Sequence, residues 1–383
     1  MPPSGQRHAG CPTNPRRRCI GFSDRPRNRV EQSGGTGNLG QGNTAAVRGR
    51  MRACSFALPS GTVGTHTESV GGCLMSQSIL PAMQEPLQDT FWLTGCLIAQ
   101  QAYQVSPLNA GIFLSIENLS GSHEVLLELH DHPGNWPTSG LVAVSIRVSR
   151  YGNHLLGSSG QLVTPESFQS LSHLPASLIA SVDEVMAVEQ WLQPCPYTPL
   201  KAFVYQVLGQ PSVGCRFFSL PASSNHHHCH KGGLAQHSLE VAKAVYAVSS
   251  SFAEHERWLA AVVGLLHDLG KVSCFHADGR RTETGYLISH ELIGFELIVP
   301  ALTHLDSVWS DGANALRYLF GWILHPRQQR PMMPIALTIR QADVMSAAAD
   351  NRHRAFSSKP DWQTFAKSDG PGPASTYWLP RPP

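Results

Sequence analysis

The sequence predicts an α+β chain that is mainly α, a small β-barrel followed by an all-α bundle. Three observations predict it. Apolar runs alternate at the strand period between about residues 85 and 165, apolar residues recur at helical spacing from about 180 to 355, and the first 75 residues show neither pattern. A length of 383 residues with 42% hydrophobic content is enough for two ordinary cores.

Residues 1–75 hold ten arginines, no lysine and three acids, a charge of +7 in a chain whose total is +2, so the remainder carries −5. Rich in Gly, Ser, Pro and Thr, this segment cannot bury a core, and disorder is expected. Two accounts fit it: a basic arm for nucleic acid, or upstream sequence read in frame ahead of a start at Met51 or Met75. The second is the expectation. No run approaches the roughly 18 apolar residues of a membrane span, and the N-terminus lacks the features of a signal peptide. Nine cysteines without a C-x-x-C pair fit neither a disulfide framework nor a zinc knuckle. Reduced thiols and a cytoplasmic location, with no membrane partner, are therefore expected.

The β unit, 85–165, is read from four runs: "FWLTGCLIA", "GIFLSIENLSG", "HEVLLELHD" and "LVAVSIRVSRYG". In the last, Val142, Val144, Ile146 and Val148 share one face while Ser145, Arg147 and Ser149 share the other. Turn residues separate the runs at Asn118 with Gly121, at Pro133-Gly134-Asn135 and at Gly152-Asn153. Four or five strands in about this length resemble an OB-fold, whose strand face often holds single-stranded nucleic acid. A purely structural barrel remains the alternative.

Helices are expected over 180–355. Ser181 with Glu184 is a capping box opening "VDEVMAVEQWL", and Thr198-Pro199 supplies an N-cap and a first-turn proline for "LKAFVYQVLG", closed by Gly209. Further helical patterns cover about 233–249, 254–271, 288–305, 311–325 and 333–350, and 356–383 reads as a tail.

Six residues in this half carry metal-ligand chemistry. His237 shares the apolar face of its helix with Leu234, Val241, Val245 and Val248, where a lone imidazole is usually a satisfied core residue. The next helix ends in "HDLGK", where the adjacent His267 and Asp268 offer a nitrogen and an oxygen to one cation. His290 in "ISHELIG", His325 in "ILHP" and Asp343 in "IRQADVMSAA" lie in apolar helical stretches, where a carboxylate needs a partner. The mixed N/O set suits Mn, Fe, Co, Ni or Zn.

The order His, His-Asp, His, His, Asp resembles the HD phosphohydrolase superfamily. That resemblance implies one or two divalent transition ions, the first held by His237, His267, Asp268 and Asp343, with His290 and His325 extending the site to a second. It also implies a phosphoric-ester hydrolase in which the metal activates water and Lys271 contacts phosphate. Ahead of the first ligand lies "NHHHCHKGG", with His226, His227 and His228, after "LPAS". This combination resembles the TraI domain of MobH-type conjugative relaxases. A barrel ahead of an HD bundle is also similar to YhaM-like 3′–5′ exoribonucleases. Both resemblances imply a single-stranded nucleic-acid substrate with the three histidines touching its phosphate, and the first adds proteins of conjugation or the relaxosome as partners. The winged-helix region of a full MobH relaxase is not found in the sequence, and no P-loop is present, since Gly270-Lys271 is followed by Val272. Two rival classes stay open: an HD hydrolase of small or cyclic nucleotides, and a non-catalytic nucleic-acid-binding accessory.

Overall fold

The computed structural model describes residues 88–106, 109–128, 136–137, 140–224, 227–324, 330–368, 375–380 and 382. The chain divides into two units, Met1–Leu74 and Met75–Pro383. The expectations for 1–75, for His226 and for His325 lie outside the described residues.

Five strands build the first half of the larger unit: β1 (Gln88–Ser106), β2 (Asn109–Asn118), β3 (Gly121–Glu128), β4 (Val142–Tyr151) and β5 (His154–Leu162). Their pairing order is β1-β2-β3-β5-β4, and β4 returns to β1, so the sheet is a ring. Every pair is antiparallel except β3 with β5, which run parallel over Val125–Leu127. The long β1 serves two neighbours. Its first half pairs with β4 and its second with β2, and the register shift between Leu97 and Ala99 bends it from one to the other. At Gly95, beside that bend, a Cβ would stand 2.7 Å from the Ile116 side chain and 2.8 Å from the Glu117 carbonyl, so the close crossing of β1 over β2 requires glycine.

The alternation read from β4 holds: Val144, Ile146 and Val148 are fully buried and pack with Leu93, Leu114, Ile116, Val125 and Leu127. Gly121 at φ +126° and Gly152 at φ +55° make the turns expected of them. The fifth strand, "HLLGSSGQL", is one the apolar runs did not single out. Its small residues break the alternation, because Gly157 and Gly160 face inward where a Cβ would meet Leu127 and Trp136.

A carboxylate fastens the ring to the segment leading into the helices. Glu117 on β2 accepts from the Ser177 amide and the Ser177 hydroxyl, both at 2.6 Å, and the Leu119 amide donates to the Ser172 carbonyl at 3.0 Å. Such charge-assisted bonds are roughly twice as strong as neutral ones.

Helices α1 (Val182–Leu192), α2 (Thr198–Leu208), α3 (Pro211–Phe217), α4 (Gly233–Val248), α5 (Glu254–Leu266), α6 (Lys271–Cys274), α7 (Glu283–Leu287), α8 (His290–Val308), α9 (Ser310–Leu324) and α10 (Ala336–Phe356) form the second half. Helix α4 packs on α5 and α10, and α8 on α9 and α2. Their apolar faces share one core, from Val185 and Phe203 through Val241 and Val263 to Leu302 and Ile339.

Several boundaries differ from expectation. Ser181 caps α1 by accepting from the Asp183 amide rather than through Glu184. Tyr197 takes the N-cap position of α2, one residue before Thr198. The buried stripe of α4 stops at Val245, leaving Val248 exposed. The tail is also not bare loop, since β6 (Phe365–Lys367) pairs antiparallel with β7 (Thr376–Trp378).

The most consequential difference lies in "HDLGK". The helix expected over 254–271 ends at Leu266, turns through His267–Gly270 and resumes as α6. Gly270 sits under the start of α8, where a Cβ would collide with the His290 carbonyl and the Gly294 amide. Glycine here lets α8 approach closely enough to bring His290 to Asp268. Gly270→Ala is expected to destabilise the protein by about 1–3 kcal/mol through overpacking. Urea unfolding checks it, and an unchanged midpoint would show that the contact is not tight.

Candidate metal centre

Three helices deliver the ligand-type side chains. His237 from α4 is fully buried, and its Nε2 has no hydrogen-bond partner among the described residues. That atom stands 3.2 Å from Asp343 Oδ1 on α10 and 3.7 Å from Asp268 Oδ2. His267, at the end of α5, donates from Nδ1 to the Gly264 carbonyl one turn back at 2.8 Å. The bond holds a proton on Nδ1, so Nε2 is the nitrogen left for a cation. Its Nε2, likewise unpartnered, lies 3.4 Å from Asp268 Oδ2 and 3.7 Å from Asp343 Oδ1. One ligand atom each from His237, His267 and Asp343 falls within 4.8 Å of the others.

Asp268 is the hub. Its Oδ2 meets Lys271 Nζ at 2.5 Å and its Oδ1 meets His290 Nε2 at 3.0 Å. Lys271 Nζ also donates to the Ala222 carbonyl at 2.7 Å, so this lysine, expected on phosphate, is occupied with orienting a carboxylate. His290, the first residue of α8, is one-third exposed, and with Asp343 it forms the more open side of the site.

The histidine run divides. His227 lies beside the cluster, its ring centroid 4.9 Å from that of His237 and its Nε2 buried without a partner among the described residues. His228 turns elsewhere, with Nε2 3.2 Å from Glu240 Oε2. The sequence pattern did not point to two further residues here. Ser346 Oγ lies 3.0 Å from His237 Nδ1 and donates to Glu240 Oε2 at 2.7 Å. Both were findable, since Glu240 is three residues after His237 and Ser346 three after Asp343, on the helix faces that carry the ligands.

The electrostatics show what the cluster wants. Burial alone would lower His267, but the charges of Asp268 and Asp343 close to its Nε2 overcome it and hold the imidazole up to about 10. Burial opposes ionisation of Asp268, yet the charges of Lys271 and His267 keep it well below the usual carboxylate range. Asp343 is lowered in spite of its burial by the His237 and His267 imidazoles beside it. Burial lowers His237. Burial, with the charges of His237 and Lys271, lowers His227 to about 4. Burial would raise Glu240, but hydrogen bonds from His228 and Ser346 hold it down to about 2. Without an ion the centre thus holds two carboxylates around a protonated imidazole, whose Nε2 proton a cation would displace, a place built for positive charge.

A divalent ion fits this donor set. Two unpartnered imidazole nitrogens and two carboxylates converge, which is the mixed N/O chemistry of Mn, Fe, Co, Ni and Zn. The HD domain family model matches residues 234–348, the stretch that contains His237, His267, Asp268, His290 and Asp343. Residues 234–348 are an HD domain. Its buried His and Asp cluster supports a metal-dependent phosphohydrolase. Comparison with curated proteins and with solved structures gives no match. No helix among the described residues is long and apolar enough to cross a membrane.

The raised His267 makes the metal-free HD domain sensitive to pH. Its contribution to stability is full below the ordinary value of 6.5 and is lost as pH climbs toward about 10. The lowered Asp268 contributes above 3.8 and loses that contribution as pH falls below it. In a chelator, the melting temperature is expected to fall between pH 6.5 and 10. Calorimetry across that window checks it, and a rising melting temperature would contradict the assignment of the proton to His267.

Proposed function

We propose that the HD domain hydrolyses phosphodiesters of nucleic acid, in a protein related to the TraI domain of MobH-type conjugative relaxases. The observation that carries the hydrolase is the pair of unpartnered nitrogens, His237 Nε2 and His267 Nε2, facing Asp268 and Asp343. A divalent ion held by these four residues supplies a Lewis acid for water and for the phosphoryl oxygens.

The chain's own residues do the rest. Hydrolysis forms one P–O bond from water and breaks one P–O bond to the leaving alcohol, which takes up a proton. His290, partly exposed and oriented by Asp268, stands where it can hand that proton to the leaving oxygen. His227 Nε2, buried against the same cluster, would bond a phosphoryl oxygen that enters beside it. Lys271 keeps Asp268 ionised and in place.

The nucleic-acid substrate rests on the ring and the histidine run. The strand order β1-β2-β3-β5-β4 with a parallel β3/β5 pair supports the OB-like reading. On its outer side Trp92 is 55% exposed and pairs across strands with Arg147, an aromatic face and a cation side by side. Bases stack on such rings with little sequence preference. Proteins of conjugation enter as partners through the TraI resemblance alone.

A second reading, an HD hydrolase of small or cyclic nucleotides, is favoured by the ring's charge. Its described residues carry Asp89, Glu117, Glu124 and Glu128 against Arg147 and Arg150, and Ser145 and Ser149 on the outer face of β4 are buried. In that case the ring is a scaffold.

With Mn²⁺, purified protein is expected to cleave labelled single-stranded DNA or RNA. Trp92→Ala is expected to raise KM for the oligonucleotide about 5- to 100-fold, the equivalent of one stacked base, without affecting bis-p-nitrophenyl phosphate. Cleavage of cyclic dinucleotides only, with Trp92→Ala silent, would establish the second reading. Cleavage of none of these would leave a binding module.

A further inference from the structure

One residue of the histidine run is used neither by the metal cluster nor by its opening. His228 is almost fully buried, and its backbone holds φ +44°, in the left-handed region that a residue with a Cβ rarely adopts. The surroundings hold it there. Its amide donates to Asp350 Oδ2 at 2.8 Å, its carbonyl accepts from the Ala222 amide at 3.0 Å, and Gly233 lies so close that a Cβ would collide with that carbonyl. Strain kept by so many contacts calls for a use.

The side chain shows one. His228 Nε2 reaches Glu240 Oε2 at 3.2 Å, Ser346 Oγ reaches the same oxygen at 2.7 Å, and Ser346 Oγ lies 3.0 Å from His237 Nδ1. An ionised carboxylate only accepts, and a hydroxyl has one proton. Ser346 therefore gives its proton to Glu240 and accepts the Nδ1–H of His237 on its lone pair. That order leaves the His237 proton on Nδ1 and the lone pair on Nε2, the atom aimed at Asp343. The opposite tautomer would aim a proton at the carboxylate and keep a cation out.

We propose that His228, Glu240 and Ser346 form a positioning relay that fixes the tautomer and ring orientation of His237 and so sets the affinity of the centre for its ion. The inference rests on the reading of His237 as a metal ligand. It gives the first part of the histidine run two jobs: His227 beside the cluster, His228 behind the ligand.

The test uses the full chain and Mn²⁺, with the dissociation constant read by competition against a chelating indicator and the melting temperature read in chelator. Ser346→Ala is expected to weaken Mn²⁺ binding about 10- to 100-fold, the usual effect of losing the partner on the far nitrogen of a ligating imidazole, while the metal-free melting temperature moves by only a few degrees. Ser346→Thr, which keeps the hydroxyl, is expected to restore binding. Glu240→Gln and His228→Asn, the latter tolerant of a left-handed backbone, are each expected to weaken it. The double variant Ser346→Ala with Glu240→Gln should be no weaker than Ser346→Ala alone, since both break one chain. Unchanged affinity in Ser346→Ala and Glu240→Gln, while His237→Ala abolishes binding, would overturn the relay and leave the metal centre standing. Equal binding by the parent chain and His237→Ala would overturn the metal reading itself, and the relay with it.

Discussion

Two imidazole nitrogens are buried without a hydrogen-bond partner among the described residues and point at two carboxylates, and the helical half is arranged around them. His237 Nε2 and His267 Nε2 meet no partner in hydrogen-bond geometry among the described residues and stand 3.2 to 3.7 Å from carboxylate oxygens. A core that tolerates this has been shaped for a cation. Each element near the site contributes: the Gly264 carbonyl turns His267, Lys271 holds Asp268, and Gly270 admits the start of α8 with His290. The wide apolar faces of α4 and α5 fix the frame within which these polar groups sit.

The ring is joined to the helical half by polar and apolar contacts together. Glu117 with Ser177, and Leu119 with Ser172, tie it to the segment that precedes α1, while Leu119 and Leu141 pack against the helical core. An arrangement of this kind holds the two folds to one geometry. A substrate strand guided by Trp92 and Arg147 would need such a fixed geometry, and a scaffold would not.

Legibility in the sequence depends on which forces act locally. Strands with one buried face declare themselves by alternation, as Val144, Ile146 and Val148 do, and β5 stayed hidden because Gly157 and Gly160 fill tight inward positions without a side chain. His237, His267, Asp268 and Asp343 were legible because a charged or imidazole group on an apolar helix face needs a reason, and the structure brings all four together, with His290 beside them. The break in the helix at His267–Gly270 was missed although Asp268 and Gly270 are weak helix formers, since a single glycine is tolerated inside a helix and its close approach to α8 shows only in space. The phosphate contact of Lys271 came from the family resemblance, whereas the Asp268 that takes it stands three residues earlier in the same "HDLGK" and was within reach of a reading by spacing. Glu240 and Ser346 were within reach, three residues after His237 and Asp343 on the same helix faces, but the bond between them exists only once α4 and α10 pack together.

The central claim is that His237, His267 and Asp343, with Asp268 beside them, form a divalent-metal site. Anomalous diffraction from a crystal of the full chain grown with Mn²⁺ tests it most directly. The account predicts a single strong peak bounded by His237 Nε2, His267 Nε2 and Asp343 Oδ1, on the three residues whose ligand atoms already lie within 4.8 Å of one another. A peak elsewhere, or none between these residues at saturating Mn²⁺, would contradict it.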